Sequence, residues 1–219
     1  MQTEFYRIIA IDGPAASGKS SVARELARQL GFVYVNSGAM YRAFTWHILQ
    51  HRIAPDDGRR IAAAAGAAPI ICDLVNNQAR ILIDDVDPTP HLRDDPVNHA
   101  VSQVSTVPEV RKVLTEKMRT YAETHNVVVE GRDIGSVVFP ETPYKFYIDA
   151  SPEVRLRRRA AEGFVDEITA RDRVDSSRRA SPLIISEDAH VIDSSHLTIE
   201  GVVGEIVGRL KLKNLHGIK

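Results

Sequence analysis

Short apolar runs alternate with amphipathic stretches along this chain. The apolar run at residues 7–11 predicts a buried parallel strand, and apolar residues on one face of 18–30 predict a helix that stops at Gly31. Further strands are predicted at 32–35, 127–130, 144–148 and 191–193, and further helices from Ser37 to about residue 51, from Pro152, and at the end of the chain. This alternation predicts one α/β domain, residues 1–219, with a parallel sheet.

One stretch interrupts the alternation of strands and helices. Two strand-like runs, 69–74 and 79–84, flank the polar segment Val75-Asn76-Asn77-Gln78, and this pattern is typical of a β-hairpin. We interpret residues 63–96, approximately, as an insert in the domain. The alternative interpretation is a surface hairpin with no role in function.

Composition and charge exclude several classes of protein. The chain is 43% hydrophobic and 26% charged, which is typical of a globular protein, and its net charge of −1 argues against a general nucleic-acid binder. Cys72 is the single cysteine, so an internal disulfide is impossible and a reducing compartment is favoured. The apolar-rich run at 61–72 is too short to cross a bilayer, and residues 1–10 lack the apolar core of an export signal. We therefore expect a soluble cytoplasmic protein without a membrane or nucleic-acid partner.

A phosphate-binding loop follows the first predicted strand. The segment Gly13-Pro14-Ala15-Ala16-Ser17-Gly18-Lys19-Ser20 matches the pattern G-x-x-x-x-G-K-[ST] and leads into a predicted helix that continues with Ser21. Backbone N–H groups of such a loop and the positive end of the helix dipole bind phosphate oxygens. We expect Lys19 to reach the β- and γ-phosphates and the Ser20 hydroxyl to ligate Mg²⁺. The loop alone fits a GTPase, a motor or a kinase.

The chain also contains arginines that are candidates for binding phosphate. Phosphoryl transfer needs its negative charge neutralised, and a guanidinium forms bidentate hydrogen bonds with phosphate oxygens. Arg42 and Arg132 follow predicted strands, where ligands bind in open α/β sheets. Eight more lie between residues 155 and 179: Arg155, Arg157, Arg158, Arg159, Arg171, Arg173, Arg178 and Arg179. The helix-breaking segment Glu162-Gly163-Phe164 predicts a lid at approximately 160–176. The alternative is a solvated helix face with pairs such as Glu153–Arg157.

Two carboxylates lie at the ends of predicted strands near the loop. Asp12 and Glu130 are each able to hold Mg²⁺ through water. Asp12 is equally suited to capping a turn, so both interpretations stay open at this point.

Several segments between about residue 7 and residue 207 together form a recognisable pattern. The segment Gly131-Arg132-Asp133-Ile134-Gly135-Ser136-Val137-Val138-Phe139-Pro140 is highly specific. The others are Ile11-Asp12-Gly13-Pro14, Ser37-Gly38-Ala39-Met40-Tyr41-Arg42, Asp149-Ala150-Ser151, Arg171-Asp172-Arg173, Asp175-Ser176-Ser177-Arg178, Ser181-Pro182-Leu183 and Ile192-Asp193-Ser194-Ser195. With these segments the chain resembles bacterial cytidylate kinases. The resemblance implies a three-layer P-loop kinase fold with a five-stranded parallel sheet, a lid and an acceptor-binding insert. It further implies a monomer that uses ATP and Mg²⁺ to phosphorylate CMP or dCMP.

The resemblance also assigns roles to individual residues. It implies that Ser102, Arg111 and Asp133 read the cytosine, whose N4 amine donates while O2 and N3 accept. Uracil would leave these groups unpaired or repelled. The remaining implied residues are Arg42, Arg132 and Arg178 around the CMP phosphate, Arg171 and Asp175 near the pentose, and Arg158, with Lys19 and Arg132, at the transferring phosphoryl group. Ser37 is implied as a further substrate-binding residue. Asn36 departs from the family, because many relatives have aspartate there, so no carboxylate role is assigned to it.

Three other functions are less compatible with the sequence. A kinase for UMP or a sugar-like acid would give no reason for the combination of Ser102, Arg111 and Asp133. A GTPase switch needs an N-K-x-D motif, which the chain lacks. An RNA-binding module needs an excess of positive charge, which a net charge of −1 does not provide.

Overall fold

A computed structural model describes residues 6–161, 183–213 and 215. The strands of this part of the chain are β1 (Ile8–Asp12), β2 (Val33–Asn36), β3 (Ile70–Val75), β4 (Gln78–Ile83), β5 (Val127–Gly131), β6 (Tyr144–Asp149) and β7 (His190–Asp193). They form one sheet in the order β3-β4-β2-β5-β1-β6-β7. Every neighbouring pair is parallel except β3–β4, which is antiparallel. The predicted α/β class is thus confirmed.

The hairpin changes the predicted number of strands. We expected five parallel strands, and β2, β5, β1, β6 and β7 are those five, but the described sheet has seven. The hairpin β3–β4 joins its edge, where Tyr34 of β2 pairs with Gln78 and its N–H donates to the carbonyl of Asn77 at 2.8 Å. Asn76 and Asn77 form the turn with φ of 51° and 58°, a left-handed backbone that suits a two-residue hairpin and that asparagine tolerates.

The helices of the described residues begin and end at recognisable signals. They are α1 (Lys19–Leu30), α2 (Ser37–Gln50), α3 (Gly58–Ala67), α4 (Asp95–Val104), α5 (Pro108–Ala122), α6 (Pro152–Ala161) and α7 (Ile199–Leu212). Gly31 ends α1 with a φ of 66°. The cap of α2 is Asn36 rather than the predicted Ser37, because the Asn36 side-chain oxygen accepts from the N–H of Ala39 at 2.9 Å. None of the described helices has the length and apolar character that a membrane span requires.

The sheet separates two hydrophobic cores, as a three-layer fold requires. Strand β5 shows the division, since its three valines are fully buried: Val127 and Val129 pack with α2 and α5 on one face, and Val128 packs with α1 and α7 on the other. Burial on both faces explains why the strands appear in the sequence as continuous apolar runs. The sheet therefore holds the carboxyl ends of β1, β2 and β5 side by side.

The predicted acceptor role of the insert, at about 63–96, stays a prediction. Of the predicted lid at 160–176, only residues 160 and 161 lie within the described part of the chain.

Candidate active site

The phosphate-binding loop lies between β1 and α1 and is packed closely against the end of β6. A Cβ atom on Gly13 would lie 2.1 Å from the backbone oxygen of Ile148, so a residue other than glycine would displace the loop. Lys19 is 6% exposed, and its ammonium donates to the carbonyl of Pro14 at 3.0 Å. The lysine charge is therefore held over the loop. The Ser17 carbonyl accepts from the Ser194 hydroxyl at 2.8 Å, which anchors the loop to the end of β7.

A cleft with a volume of about 790 Å³ adjoins the loop. Most of the loop and the start of α1 line it, through Ala15, Ala16, Gly18, Lys19, Ser20 and Ser21. All six predicted acceptor residues in the described part of the chain line it too: Ser37, Arg42, Ser102, Arg111, Arg132 and Asp133. Of the predicted residues, Arg171, Asp175 and Arg178 lie outside the described residues. The structure thus brings two sets of residues, separate in the sequence, into one cavity.

Arg111 and Asp133 form a buried ion pair in the lining of this cleft. The guanidinium Nη2 of Arg111 lies 2.5 Å from Oδ2 of Asp133, and both side chains are 6% exposed. Arg111 also donates to the carbonyl of Ser105 at 3.2 Å, and its guanidinium lies 5.3 Å from the centre of the Tyr41 ring. Such contacts fix the orientation of both charges, which are costly to bury unless paired and hydrogen-bonded.

Close packing at the end of β5 brings the phosphate-binding candidates together. A Cβ atom on Gly131 would lie 2.5 Å from the Ser37 hydroxyl oxygen, so glycine allows β5 and the start of α2 to approach. Arg42, one turn further along α2, donates to the carbonyl of Gly38 at 3.1 Å. Arg132 follows Gly131 directly, and both arginines are half-buried and line the cleft.

The structure distinguishes the two carboxylates that the sequence left open. The side chain of Asp12 accepts from the backbone N–H groups of Ile134 and Gly135 at 2.7 and 2.8 Å, so it caps the π-helical turn Ile134–Val138 that follows Asp133. Burial raises the pKa of Asp12 to about 6, although these N–H groups act in the opposite direction.

Glu130 is the carboxylate that lines the cleft. It is 3% exposed and accepts from the Tyr34 hydroxyl at 3.3 Å. Burial, together with the charge of Glu130, raises the pKa of Tyr34, so the phenol stays protonated and donates.

The arginines of α6 differ in what they contact. Arg158 donates to the carbonyl of Ser17 at 3.2 Å and to the carbonyl of Ser194 at 2.7 Å, and it lines a second cavity of about 320 Å³ behind the loop. Arg155 donates to the carbonyl of Ala15 at 3.2 Å. Arg159 is the α6 arginine that lines the main cleft. Spacing alone does not separate these neighbours, and the family resemblance points to Arg158.

Sequence reasoning missed Arg24 and Asn98, which also line the cleft. Arg24 lies one turn after Ser21 on α1, and its guanidinium is 5.3 Å from the centre of the Tyr34 ring. Its spacing of three and four residues from Ser21 and Ser20 places it on the same face of α1, which indicates a position beside the phosphate-binding loop. Asn98 donates to the backbone carbonyl of Arg93 at 2.8 Å, a contact that no sequence pattern indicates.

A parallel sheet whose first strand leads through a phosphate-binding loop into a helix, beside an arginine-lined cleft, defines a P-loop kinase. Sequence comparison identifies the family of P-loop kinases to which the chain belongs. The family model described as cytidylate kinase matches residues 9–212. The chain therefore belongs to the cytidylate kinase family, as the resemblance predicted, and it is an enzyme.

Relatives along nearly the whole chain agree with this assignment. The cytidylate kinase of Caldanaerobacter subterraneus subsp. tengcongensis is 43% identical over 220 residues, covering 95% of this chain and 96% of the relative. The cytidylate kinase of Pelotomaculum thermopropionicum is 44% identical over 92% of this chain and 95% of the relative. The cytidylate kinase of Mycobacterium leprae is 40% identical over 94% of this chain and 96% of the relative.

The raised pKa of Asp12 predicts a specific dependence of stability on pH. Because the pKa rises from 3.8 to about 6 on folding, the folded state binds the proton more tightly. The contribution of Asp12 to the free energy of unfolding is therefore greatest below pH 4 and falls, by up to about 3 kcal/mol, as the pH rises through 6. In Asp12→Asn this dependence is lost. The difference in unfolding free energy between wild type and variant should thus decline between about pH 4 and 6, measured by urea titration.

The exposed Asp95→Asn variant is the matched control for the loss of one negative charge. A difference between wild type and Asp12→Asn that stays constant or increases over this pH range would contradict the assignment.

Proposed function

We propose that this enzyme transfers the γ-phosphoryl group of ATP to CMP or dCMP, giving ADP and CDP or dCDP, with Mg²⁺ as cofactor. The observation that carries the proposal is that the phosphate-binding loop and the Arg111–Asp133 pair line the same cleft. A cleft that holds phosphates at one end and a polar base at the other suits a nucleotide donor and a nucleotide acceptor.

The phosphate-binding loop supports the binding of ATP as the phosphoryl donor. Gly13 allows the loop to lie against β6, and the N-terminus of α1 points its free N–H groups toward the site of the ATP phosphates. Lys19 supplies a positive charge that is already buried and oriented by its bond to the Pro14 carbonyl. Binding the phosphates therefore requires little reorganisation of the loop.

The oxygen atoms that line this cleft are suitable ligands for Mg²⁺. The hydroxyl of Ser20 and the carboxylate of Glu130 both line it, and Mg²⁺ prefers hard oxygen ligands, often with water between. Asp12 is not proposed as a ligand, since two backbone N–H groups already bind its carboxylate. When bound, the metal neutralises charge on the β- and γ-phosphates.

Charge and hydrogen-bonding capacity support the binding of a cytosine nucleotide as the acceptor. The Asp133 carboxylate accepts and the Arg111 guanidinium donates, which complements the N4 donor and the O2 and N3 acceptors of cytosine. Ser102, on α4, offers a further hydroxyl in the same cleft. Uracil, with O4 and an N3 proton, would face an acceptor and a donor in the wrong places.

Arginines are proposed to hold the acceptor phosphate and stabilise the transition state. Arg42 and Arg132 line the cleft near Ser37, and we assign them, with Arg178, to the CMP phosphate. Arg171 and Asp175 are assigned to the pentose. No general base is needed if the phosphates are aligned and their charge is neutralised.

Arg158, proposed from the family resemblance for the transferring group, contacts the loop backbone from behind. This contact supports a role in positioning the loop, whereas the place of Arg159 in the cleft favours it for direct contact with phosphate. The family resemblance implies that the enzyme acts as a monomer, and the proposed use of ATP suits a cytoplasmic setting.

Lys19→Ala tests the donor side. We expect a folded protein whose kcat falls at least about 100-fold, since removing one preorganised charge from a transition state costs about this much. The coupled assay of ADP formation with saturating ATP and CMP measures it. Lys112→Ala, at an exposed lysine of α5, is the control and should keep wild-type turnover. Near-normal kcat in folded Lys19→Ala would remove the loop from catalysis.

Asp133→Asn tests the reading of the base. The amide keeps the shape of the side chain but removes the charge that pairs with Arg111, so KM for CMP should rise about 10- to 100-fold. KM for ATP, measured on the same preparation, should change less than about threefold and serves as the internal control. Ser102→Ala, at a half-buried position, is a milder variant that should move KM in the same direction. Unchanged KM for CMP in both variants would rule out this base-reading role.

A further inference from the structure

Two histidines and an aspartate lie together on the side of α2 that faces the hairpin. His47 is in the last turn of α2 and His51 caps its end, an i, i+4 spacing that places both rings on one face of a helix. Their ring centres are 4.3 Å apart. Asp84 follows β4 directly, and its Oδ2 lies 3.3 Å from Nδ1 of His47 and 4.0 Å from Nε2 of His51.

We propose that His47, His51 and Asp84 form a binding site for a divalent transition-metal ion, of which Zn²⁺ is the type. One ligand atom of each residue lies within 4.8 Å of the others. Among the residues that the structure describes, these three form the one cluster of histidine, cysteine or acidic side chains close enough to share a metal ion. None of the three is among the residues that line the nucleotide cleft. The proposal is therefore independent of the proposed kinase function.

One distance between ligand atoms already matches tetrahedral zinc, and all three ligand atoms lie within 4.8 Å of one another. Ligand atoms at about 2.0–2.1 Å from zinc in a tetrahedral site are separated from each other by about 3.3 Å. The distance from His47 to Asp84 already has this value, 3.3 Å. The His51 side chain is 55% exposed and its Nε2 lies 4.0 Å from Asp84, so metal binding requires these two side chains to move closer together. Water would occupy the fourth position, on this solvent-exposed side.

The other nitrogen of His51 is held as in known metal sites. Nδ1 of His51 lies 3.0 Å from the backbone carbonyl of His47, to which it donates when protonated. A ligating histidine usually gives its second N–H to a carbonyl or carboxylate, which fixes the ring and leaves the remaining nitrogen unprotonated for the metal. That remaining nitrogen, Nε2, is the one that faces Asp84.

The ligand types select the class of metal. Two imidazoles and a carboxylate suit Zn²⁺, Co²⁺ or Ni²⁺, whereas Mg²⁺ prefers oxygen ligands alone. His47 is 7% exposed on its side chain, so the site is anchored in the protein by one buried ligand and opens to solvent through the other two. A metal bound here would link the end of α2 to the turn after β4, and so stabilise the insert against the helix that bears Arg42.

The chain offers substitutions that remove ligands with little damage. Asp84 has a φ of 51°, in the left-handed region that asparagine also tolerates, so Asp84→Asn removes the negative charge without backbone strain. His51→Ala removes an exposed side chain. His99→Ala, at an exposed histidine of α4 outside the group, is the matched control.

The test is isothermal titration calorimetry of Zn²⁺ into the full-length chain, without a polyhistidine tag and after removal of metal by chelator. We expect one Zn²⁺ per chain. His51→Ala and Asp84→Asn should each weaken the affinity at least about tenfold, since even changing a partner of a ligand costs 10- to 100-fold. His99→Ala should bind as wild type does. Millimolar Mg²⁺ should leave the Zn²⁺ affinity unchanged.

Two further readouts keep the outcome clear if one variant folds poorly. Co²⁺ bound to wild type should give the visible absorption of a four-coordinate ion, and Zn²⁺ should raise the melting temperature of wild type but not of His51→Ala. Absence of saturable Zn²⁺ binding to wild type would overturn the proposal. So would wild-type affinity in both ligand variants, or competition by Mg²⁺ at equal concentration.

Discussion

The two halves of the active site are joined through the side chain of Asp12. This residue ends β1 directly before the phosphate-binding loop. Its carboxylate accepts hydrogen bonds from the backbone N–H groups of Ile134 and Gly135, which follow Asp133. Strands β1 and β5 are paired in parallel, so both segments emerge at the same edge of the sheet. The carboxylate then fixes the turn after β5 relative to the loop after β1. The proposed donor and acceptor positions would thus share one rigid reference, which in-line phosphoryl transfer requires.

Close approach of backbones gives the cleft its shape, and we propose that paired charges give it its selectivity for the base. Gly13 and Gly131 occupy places where a Cβ atom would meet backbone or side-chain oxygen within about 2.1–2.5 Å, so the loop, α2 and β5 converge only because these residues lack a side chain. The buried Arg111–Asp133 pair then presents a donor and an acceptor whose orientation is set before substrate arrives. Groups fixed in advance discriminate between bases strongly, because a mismatched base leaves them unpaired in a site shielded from water.

Local patterns predicted those parts of the molecule whose cause is local. The apolar runs of the parallel strands, the phosphate-binding loop and the hairpin turn all follow from neighbouring residues. The addition of β3 and β4 to the edge of the parallel sheet was not predicted, because the hairpin joins through a single pairing of Tyr34 with Gln78, 44 positions apart in the sequence. The role of Asp12 depends on N–H groups more than 120 residues away. The sequence also contained an unused signal for α5, which begins with Pro108 and buries Val110, Leu114 and Met118 at helical spacing.

The central claim is that one cleft both aligns two nucleotides and reads cytosine in the acceptor. Initial rates of ADP release, measured with ATP and Mg²⁺ and each of CMP, dCMP, UMP, AMP, GMP or no acceptor, test it most directly. The account predicts fast release with CMP and dCMP, slower release with UMP, and almost none with the purine nucleotides or without acceptor. Release that is independent of an acceptor, or equal for pyrimidine and purine monophosphates, would contradict it.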